Sequence, residues 1–197
     1  MSTTRRDEIL GVATTLFARH GYRHTTLDAI AGACGLGKTA IYHYFDGKQA
    51  IFAAVVDAIS DNVLESMRAA TAGVEDPIDA LVAAIRARFT TLRALSESMG
   101  VPDEIAQELG RLSVETRSGF YEGERKLLTG LLEAANAKGA CRLAQPGEVA
   151  ALLSASLKGI EDMLAEADRI ETGLETLDLA LRLTAIGLRG TRQESDV

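Results

Sequence analysis

Apolar residues recur every three or four positions along nearly the whole chain, which is the spacing of one face of an α-helix. The first such segment ends at His20-Gly21 and carries its apolar residues at Ile9, Val12, Ala13, Leu16 and Phe17. No segment shows the strict apolar–polar alternation of a half-buried strand. The sequence therefore predicts an all-α fold.

Turn and capping residues divide this pattern into separate helices. Long helices are expected from Lys48 to about residue 72, from Pro77 past Leu95, from Asp103 to about residue 116, from Ser118 to Lys138, from about residue 146 to 164 and from about residue 173 to 188. The segments between them contain the glycines and prolines that end helices. Shorter helices are expected before Lys48, where the motifs of interest lie.

Residues 32–39, GACGLGKT, match the G-x-x-x-x-G-K-[ST] pattern of phosphate-binding loops. Such a loop follows a buried strand, but the preceding TTLDAIA has a capping-box pattern, with Thr25 at its start and Asp28 three residues later. Further strands, and the acidic residue that would hold magnesium, are also missing from the sequence pattern. A nucleotide-binding enzyme using Gly32–Thr39 is therefore the alternative hypothesis and not the preferred one.

A helix-turn-helix explains more of the same residues. The turn is Gly35-Leu36-Gly37, and the apolar residues that would hold the two helices together are Leu27, Ile30, Ala31, Leu36, Ile41 and Phe45. The outer side of the second helix would then carry Lys38, Thr39, Ala40, Tyr42, His43 and Tyr44. Ammonium, hydroxyl and methyl groups of this kind suit the major groove of DNA.

The charge distribution agrees with a DNA-binding segment at the N-terminus. The whole chain has a net charge of −7, but residues 1–52 contain six Lys or Arg against four Asp or Glu, and the remainder contains 15 against 24. All three histidines, at positions 20, 24 and 43, also lie in the first segment. Affinity for DNA depends on where the positive charge lies and not on its total.

Residues 5 to about 55 resemble the N-terminal domain of the TetR/AcrR family of transcriptional repressors. The features that carry the resemblance are LFARHGY, the paired threonines, AIAGACGL and IYHYFDGKQAIF. The family implies a homodimer, a three-helix DNA-binding domain and a C-terminal helical domain that binds an inducer. It thus implies a helix-turn-helix domain at residues 1–50, a ligand-binding and dimerisation domain at 51–190 and a flexible tail at 191–197.

The resemblance also implies roles for individual residues. Thr25 and Thr26 would contact phosphate at the start of the second helix, and Lys48 would do so at the start of the fourth. Lys38, Thr39 and Ala40 would meet base edges or nearby backbone, and Tyr42, His43 and Tyr44 would contact backbone or bases. Gly37 occupies the cap position where the family commonly has serine. Glycine caps nearly as well but offers no hydroxyl to the DNA.

Two C-terminal segments are apolar on most sides, which favours a dimer of paired helices over a monomer with an internal core helix. The predicted interface residues are Leu152, Leu153, Ser156, Leu157, Ile160, Leu177, Leu181 and Leu188. A dimer would place two recognition helices about one DNA turn apart, roughly 34–36 Å, and so would bind a palindromic operator.

A pocket for a hydrophobic or amphipathic inducer is expected between the DNA-binding head and this interface, near the break at Gly100–Pro102. Its predicted lining is Phe89, Leu92, Met99, Leu112, Phe120, Tyr121 and Leu127. Ordinary core packing explains most of these residues equally well, so the alternative stays open.

Other classes of protein find little support. No Ser-His-Asp or Cys-His set is visible, the histidines lack a carboxylate cluster for a metal, and no cofactor or enzymatic activity is expected. Cys34 and Cys141 are expected to be reduced thiols, and the chain has neither a membrane span nor a secretory signal, so a cytoplasmic protein is expected. A helical adaptor whose head binds protein is a third hypothesis, and it predicts no affinity for DNA.

Overall fold

The computed structural model describes residues 4–113, 116–166 and 170–192. All regular elements in these ranges are helices, so the predicted all-α fold is confirmed. In chain order they are α1 (Arg5–His24), α2 (Leu27–Ala33), α3 (Lys38–Ile41), α4 (Lys48–Ala69), α5 (Pro77–Ser98), α6 (Asp103–Ser113), α7 (Ser118–Ala137), α8 (Pro146–Glu166) and α9 (Ile170–Gly190). In the described part of the chain no helix is both long and apolar enough to span a membrane.

The helices form two compact units. Of the described residues, those within 1–62 and 92–119 form the first unit, and those within 63–91 and 120–197 form the second. Residues 92–119, which include α6, thus pack with the N-terminal helices, although the sequence assigned them to a second domain beginning at residue 51. The functional boundaries at residues 50 and 190 stay predictions, and residues 193–197 of the predicted tail lie outside the described ranges.

One apolar core holds the first unit together. Its buried members come from α1 to α4 and are Ile9, Ala13, Phe17, Ile30, Ala31, Ile41, Phe45, Ile51, Phe52, Val55 and Val56. Leu109 of α6 packs against this core from outside. The Phe17 and Phe52 rings meet edge to face with centroids 5.5 Å apart, a favourable geometry for aromatic pairs. The short helices α2 and α3 are therefore fixed by burial against longer ones.

Local sequence sets both ends of α1. Thr4 and Asp7 form a capping box in which each side chain accepts a hydrogen bond from the other residue's backbone N–H. Near the C-terminal end, Gly21 has φ 75° and ψ 167°, a conformation nearly restricted to glycine. The helical path is interrupted there, as His20-Gly21 predicted.

The second unit has buried aliphatic residues on α4, α5, α7, α8 and α9. Asp76 starts α5, because its carboxylate Oδ1 accepts from the backbone N–H groups of Ile78 at 2.8 Å and Asp79 at 2.9 Å. Pro77 occupies the first turn, where its missing N–H has no helical partner to lose. The predicted starts of α5, α7 and α8 are correct, whereas α4 ends about three residues before the predicted position.

Candidate nucleic-acid interface

The turn between α2 and α3 is a Schellman motif that ends α2 sharply. The Leu36 N–H donates to the Ala31 carbonyl at 2.8 Å, and the Gly35 N–H donates to the Gly32 carbonyl at 3.1 Å. Gly35 has a φ of 66°, which is the left-handed conformation that this motif requires. The motif directs Leu36 back against the core and starts α3 at a fixed angle to α2.

The α3 segment presents one polar side to solvent. Ile41 and Phe45 are buried in the core, while Tyr42 is 51% exposed and Tyr44 is 42% exposed. The other exposed side chains are those of Lys38, Thr39 and His43, and Ala40 is half-buried. The structure therefore brings together the outward set that the sequence predicted. Hydrogen bonds from the N–H groups of Tyr44 and Phe45 to the Ile41 carbonyl continue the helical path beyond residue 41.

Thr25 and Thr26 have different roles, and the prediction for Thr25 needs correction. Thr26 is the residue that caps α2, since its side chain accepts from the Ala29 N–H at 3.1 Å, and it is exposed. Thr25 is only 2% exposed, and its hydroxyl donates to the Gly21 carbonyl at 2.8 Å. A hydroxyl enclosed in this way cannot reach a phosphate, so Thr25 supports the corner between α1 and α2 instead.

Lys38 carries the positive charge at the start of α3 and forms an ion pair with Asp28 of α2. The Lys38 Nζ lies 3.0 Å from the Asp28 Oδ2, and both side chains are exposed. The hydrogen bond from this ammonium to Asp28 raises the pKa of Lys38, so the lysine stays charged at neutral pH. The sequence reading named Asp28 only as part of a capping box and missed this pairing, which depends on the angle between the two helices.

Lys48 holds the same corner from the side of α4. Its Nζ donates to the carbonyl oxygens of Tyr22 at 2.8 Å and Thr25 at 2.9 Å, and it lies 4.2 Å from the centre of the Tyr22 ring. An ammonium has three donors, so one remains for another acceptor. Lys48 is half-buried, and its predicted phosphate contact is compatible with this position.

The same geometry contradicts the phosphate-binding loop. Gly32 lies inside α2, and the residues before it form the body of that helix. A strand would have to enter Gly32 for the loop to cradle phosphates. In the described ranges, no group of three or more His, Cys, Asp or Glu side chains is placed to hold a metal ion.

Half of the predicted interface residues face inward in the second unit, which corrects the prediction. Leu157, Leu177, Leu181 and Leu188 are buried within the protomer. Leu152 and Ser156 are exposed, and Leu153 and Ile160 are half-buried. The predicted interface set did not include the exposed apolar residues of α9, which are Leu179, Leu183 and Ile186. Both faces of α9 are apolar, so the pattern alone did not show which face is covered by the protein's own core.

The predicted pocket draws on both compact units, and as a whole it stays a prediction. Leu92, Met99 and Leu112 belong to the first unit, where Leu112 is 39% exposed. Phe89, Phe120, Tyr121 and Leu127 belong to the second unit. Within it, the Phe120 and Tyr121 rings meet with centroids 5.4 Å apart, and the Arg88 guanidinium lies over Phe89 and Phe120. The sequence analysis did not predict a role for Arg88. Its position three residues after Ile85 places a charged residue on the apolar face of α5, and this pattern could have identified it.

Comparison with known proteins agrees with this geometry. The family model of bacterial regulatory proteins of the tetR family matches residues 9–55, which include α2, the turn and α3. The transcriptional repressor KstR2 of Rhodococcus jostii (strain RHA1) is 29% identical over 139 residues, which are 70% of this chain and 68% of that protein.

Solved structures extend the similarity over most of the chain. A TetR-family transcriptional regulator from Pectobacterium atrosepticum has a TM-score of 0.71 at 23% identity and covers 94% of this chain and 93% of its own. A TetR/AcrR-family regulator from Thermobifida fusca has a TM-score of 0.59 at 29% identity and covers 94% and 98% respectively. The chain thus carries the DNA-binding domain of the tetR family of bacterial regulatory proteins at residues 9–55 and shares the fold of tetR-family regulators over most of its length.

Proposed function

We propose that this protein is a transcriptional repressor that binds a palindromic operator as a homodimer and is released from it by a hydrophobic or amphipathic small molecule. The observation that carries the proposal is the outward set on the α3 segment. Exposed Lys38, Thr39, Tyr42, His43 and Tyr44 stand on a helix that buried Ile41 and Phe45 fix in place. Such a rigid helix with exposed donors and aromatic rings fits a major groove. A protein that controls transcription acts where the chromosome is, so we place it in the cytoplasm.

Dimerisation is supported by the exposed apolar residues of α8 and α9. Leu152, Leu179, Leu183 and Ile186 are each more than half exposed, and the α9 residues follow the i, i+4, i+7 spacing of one helix face. We name Leu179, Leu183 and Ile186 the α9 stripe. Large aliphatic side chains clustered at a surface mark a protein interface. A two-fold pairing of these helices would give the two DNA-reading heads that a palindrome requires.

Release by a ligand follows from the same dimer. A molecule that binds the C-terminal helices and favours a different spacing of the two heads would prevent them from entering successive major grooves. Aromatic and aliphatic residues dominate the predicted lining, and this composition suits a ligand with a large apolar part.

Selection of random DNA duplexes on the purified protein tests the proposal. We expect a palindromic sequence with half-sites about 10 base pairs apart. His43→Ala should weaken binding to that sequence roughly tenfold through loss of a groove contact, whereas His20→Ala, at an exposed position of α1, should not. Recovery of no preferred sequence, with no affinity even at low salt, would support the protein-binding adaptor instead.

The ligand-dependent part needs its own measurement. Small apolar and amphipathic compounds can be screened for release of the selected duplex, with a duplex of scrambled sequence as the control. We expect at least one class to lower the operator affinity by tenfold or more, which corresponds to a coupling free energy of about 1.4 kcal/mol. Binding of ATP or GTP that Lys38→Ala abolishes would count for the phosphate-binding alternative.

A further inference from the structure

A cluster of polar residues lies inside the second unit, where three helices meet. Arg88 of α5 and Glu124 of α7 are both fully buried, with the Arg88 Nε 2.8 Å from the Glu124 Oε1. The Arg88 Nη2 lies 2.7 Å from the Glu161 Oε2 of α8, and the Ser154 Oγ of α8 donates to the Glu124 Oε2 at 2.5 Å. We call Arg88, Glu124, Ser154 and Glu161 the Arg88 cluster.

The hydrogen bonding of the guanidinium is incomplete. The Arg88 Nη1 is buried and has no hydrogen-bond partner. The Arg88 Nε is within ion-pair distance of Glu124, but the direction of its N–H falls short of a hydrogen bond. A buried donor without an acceptor costs free energy, because the protein has removed it from water without replacing the bond. An acceptor at Nη1 would therefore complete the hydrogen bonding of the cluster.

Two aromatic rings lie beside the Arg88 guanidinium. The Arg88 guanidinium carbon lies 4.9 Å from the Phe89 ring centre and 5.3 Å from the Phe120 ring centre. Phe120 in turn contacts the half-buried ring of Tyr121. The Glu161 side chain is 22% exposed, so the cluster reaches solvent on the α8 side while Arg88 and Glu124 stay fully enclosed. A buried hydrogen-bond donor thus lies beside aromatic side chains, with one side of the cluster close to solvent. Many ligand sites combine these features.

A scaffolding role alone explains the cluster poorly. Replacing a buried ion pair by apolar residues of similar volume is often neutral or stabilising, because the charges lose their hydration when they are buried. Buried ionisable groups that lie together are correspondingly frequent at functional sites.

The charges of the cluster restrict what it can bind. Within the cluster one guanidinium already faces the carboxylates of Glu124 and Glu161, so an anionic group at the Arg88 Nη1 would lie beside two carboxylates. A cationic ligand would have to displace Arg88 from these carboxylates, and it would meet Lys158, whose Nζ lies 5.5 Å from the Tyr121 ring centre. An uncharged ligand oxygen needs only one hydrogen-bond donor, and the Arg88 Nη1 can supply it.

We propose that the Arg88 cluster binds the polar end of the effector, and that this effector is an uncharged amphipathic molecule whose carbonyl or hydroxyl oxygen accepts a hydrogen bond from the Arg88 Nη1. The apolar part of the molecule lies against Phe89, Phe120 and Tyr121. This proposal rests on the proposed ligand-responsive function and gives it a chemical class of ligand.

Three probes of similar length and different charge test the proposal. They are 2-undecanone, decanoate and decylamine, titrated below their micelle-forming concentrations into the full-length protein by calorimetry. The ketone should bind at least tenfold more tightly than either charged probe. Tighter or equal binding of decanoate or decylamine, or no binding of the ketone, overturns the proposal.

Variants assign the binding to the cluster. The double variant Arg88→Met with Glu124→Leu removes both buried charges together, and it should lower the affinity for the ketone at least tenfold. Arg86→Met, at an exposed arginine of the same helix, should leave the affinity unchanged. If circular dichroism shows that the double variant does not fold, Arg88→Lys replaces it. This variant keeps the positive charge but lacks the guanidinium, and it should lose the preference for the ketone over the charged probes. A ketone affinity that no Arg88 variant alters overturns the proposal.

The operator affinity without any probe is measured in parallel. A protein that binds no operator but binds the ketone through Arg88 would refute the proposed function and leave this site standing. A protein that binds its operator but shows no Arg88-dependent preference for the ketone would refute this site alone.

Discussion

The carboxylate of Glu108 on α6 accepts a hydrogen bond from the backbone N–H of Arg23 at the end of α1, with a distance of 3.1 Å. Its other oxygen lies 2.5 Å from the position that a Cβ on Gly21 would occupy. The Glu108 side chain is only 18% exposed, although it is charged. The corner between α1 and α2 is therefore shaped both by a glycine and by a carboxylate from a distant part of the chain.

Gly21→Ala should destabilise the protein by about 1–3 kcal/mol, because the φ of 75° strains any residue with a Cβ. The added methyl also displaces Glu108. Combining the substitution with Glu108→Ala should therefore restore the stability lost to the clash, but not the stability lost to backbone strain. Urea unfolding measures both. Gly11→Ala is the control, since nothing lies within 4 Å of its Cβ, and it should stabilise α1 by up to about 1 kcal/mol. Equal stability of Gly21→Ala and the parent would show that the corner relaxes freely.

Lys48→Met should have two separable effects. The loss of the hydrogen bonds to the Tyr22 and Thr25 carbonyls should lower the free energy of unfolding by about 2 kcal/mol. The loss of a phosphate contact should weaken binding on all DNA sequences and reduce the slope of log affinity against log salt by about one.

Lys126→Met, at an exposed position on α7, is the control for the change in net charge. A lower stability with an unchanged salt slope would assign Lys48 to the fold alone and remove it from the DNA interface. An unchanged stability would mean that the two carbonyls find other donors.

Asp28→Asn should strengthen binding to DNA, because it removes a negative charge 3.0 Å from the Lys38 Nζ and frees that ammonium. Because both charges are exposed and screened by water, we expect a gain of only about two- to fivefold in affinity at low salt. The stability should change little, since exposed ion pairs contribute little to it. Asp57→Asn on α4 is the matched control, and fluorescence anisotropy with a labelled operator gives both affinities. Weaker binding by Asp28→Asn would indicate that Asp28 positions Lys38 for the groove.

The sequence predicted what depends on neighbouring residues. The spacing of apolar residues gave the helices, and the Gly35-Leu36-Gly37 turn gave the helix-turn-helix and its outward set. It failed where a side chain's environment depends on distant segments. Thr25 and Thr26 read alike in the sequence, yet the path of the chain after Gly21 buries one and exposes the other. Leu157 and Leu181 were predicted as interface residues but are buried within the protomer. Periodicity identifies the apolar faces of a helix without showing which face the protein's own core covers.

Asp76 should make stability depend on pH in acid. Hydrogen bonds from the backbone N–H groups of Asp79 and Ile78, together with the nearby Arg189, lower the pKa of Asp76 below its usual value of 3.8. A carboxyl with a lowered pKa in the folded state stabilises the protein above pH 3.8, and this stabilisation is lost as the pH falls through the lower value.

Asp76→Ala should therefore cost about 1 kcal/mol at pH 7, the usual contribution of an N-cap. The difference from the parent should shrink once the pH falls well below 3.8. Glu75→Ala, an exposed neighbour of the same charge, should show no such dependence. Thermal unfolding followed by circular dichroism from pH 7 to pH 2 provides the comparison, and a constant difference at all pH values would exclude the carboxylate charge as the source.

Leu183→Arg should break the dimer, because Leu183 is 60% exposed at the centre of the α9 stripe and a partner helix would have to bury the new charge. Leu112→Arg is the matched control, since Leu112 is an exposed leucine of α6 outside the stripe. Sedimentation velocity should show a monomer for the first variant and a dimer for the second. The monomer should bind the palindrome at least about a hundredfold more weakly, because the two DNA-binding heads are no longer joined. A Leu183→Arg protein that stays dimeric would place the interface on another surface.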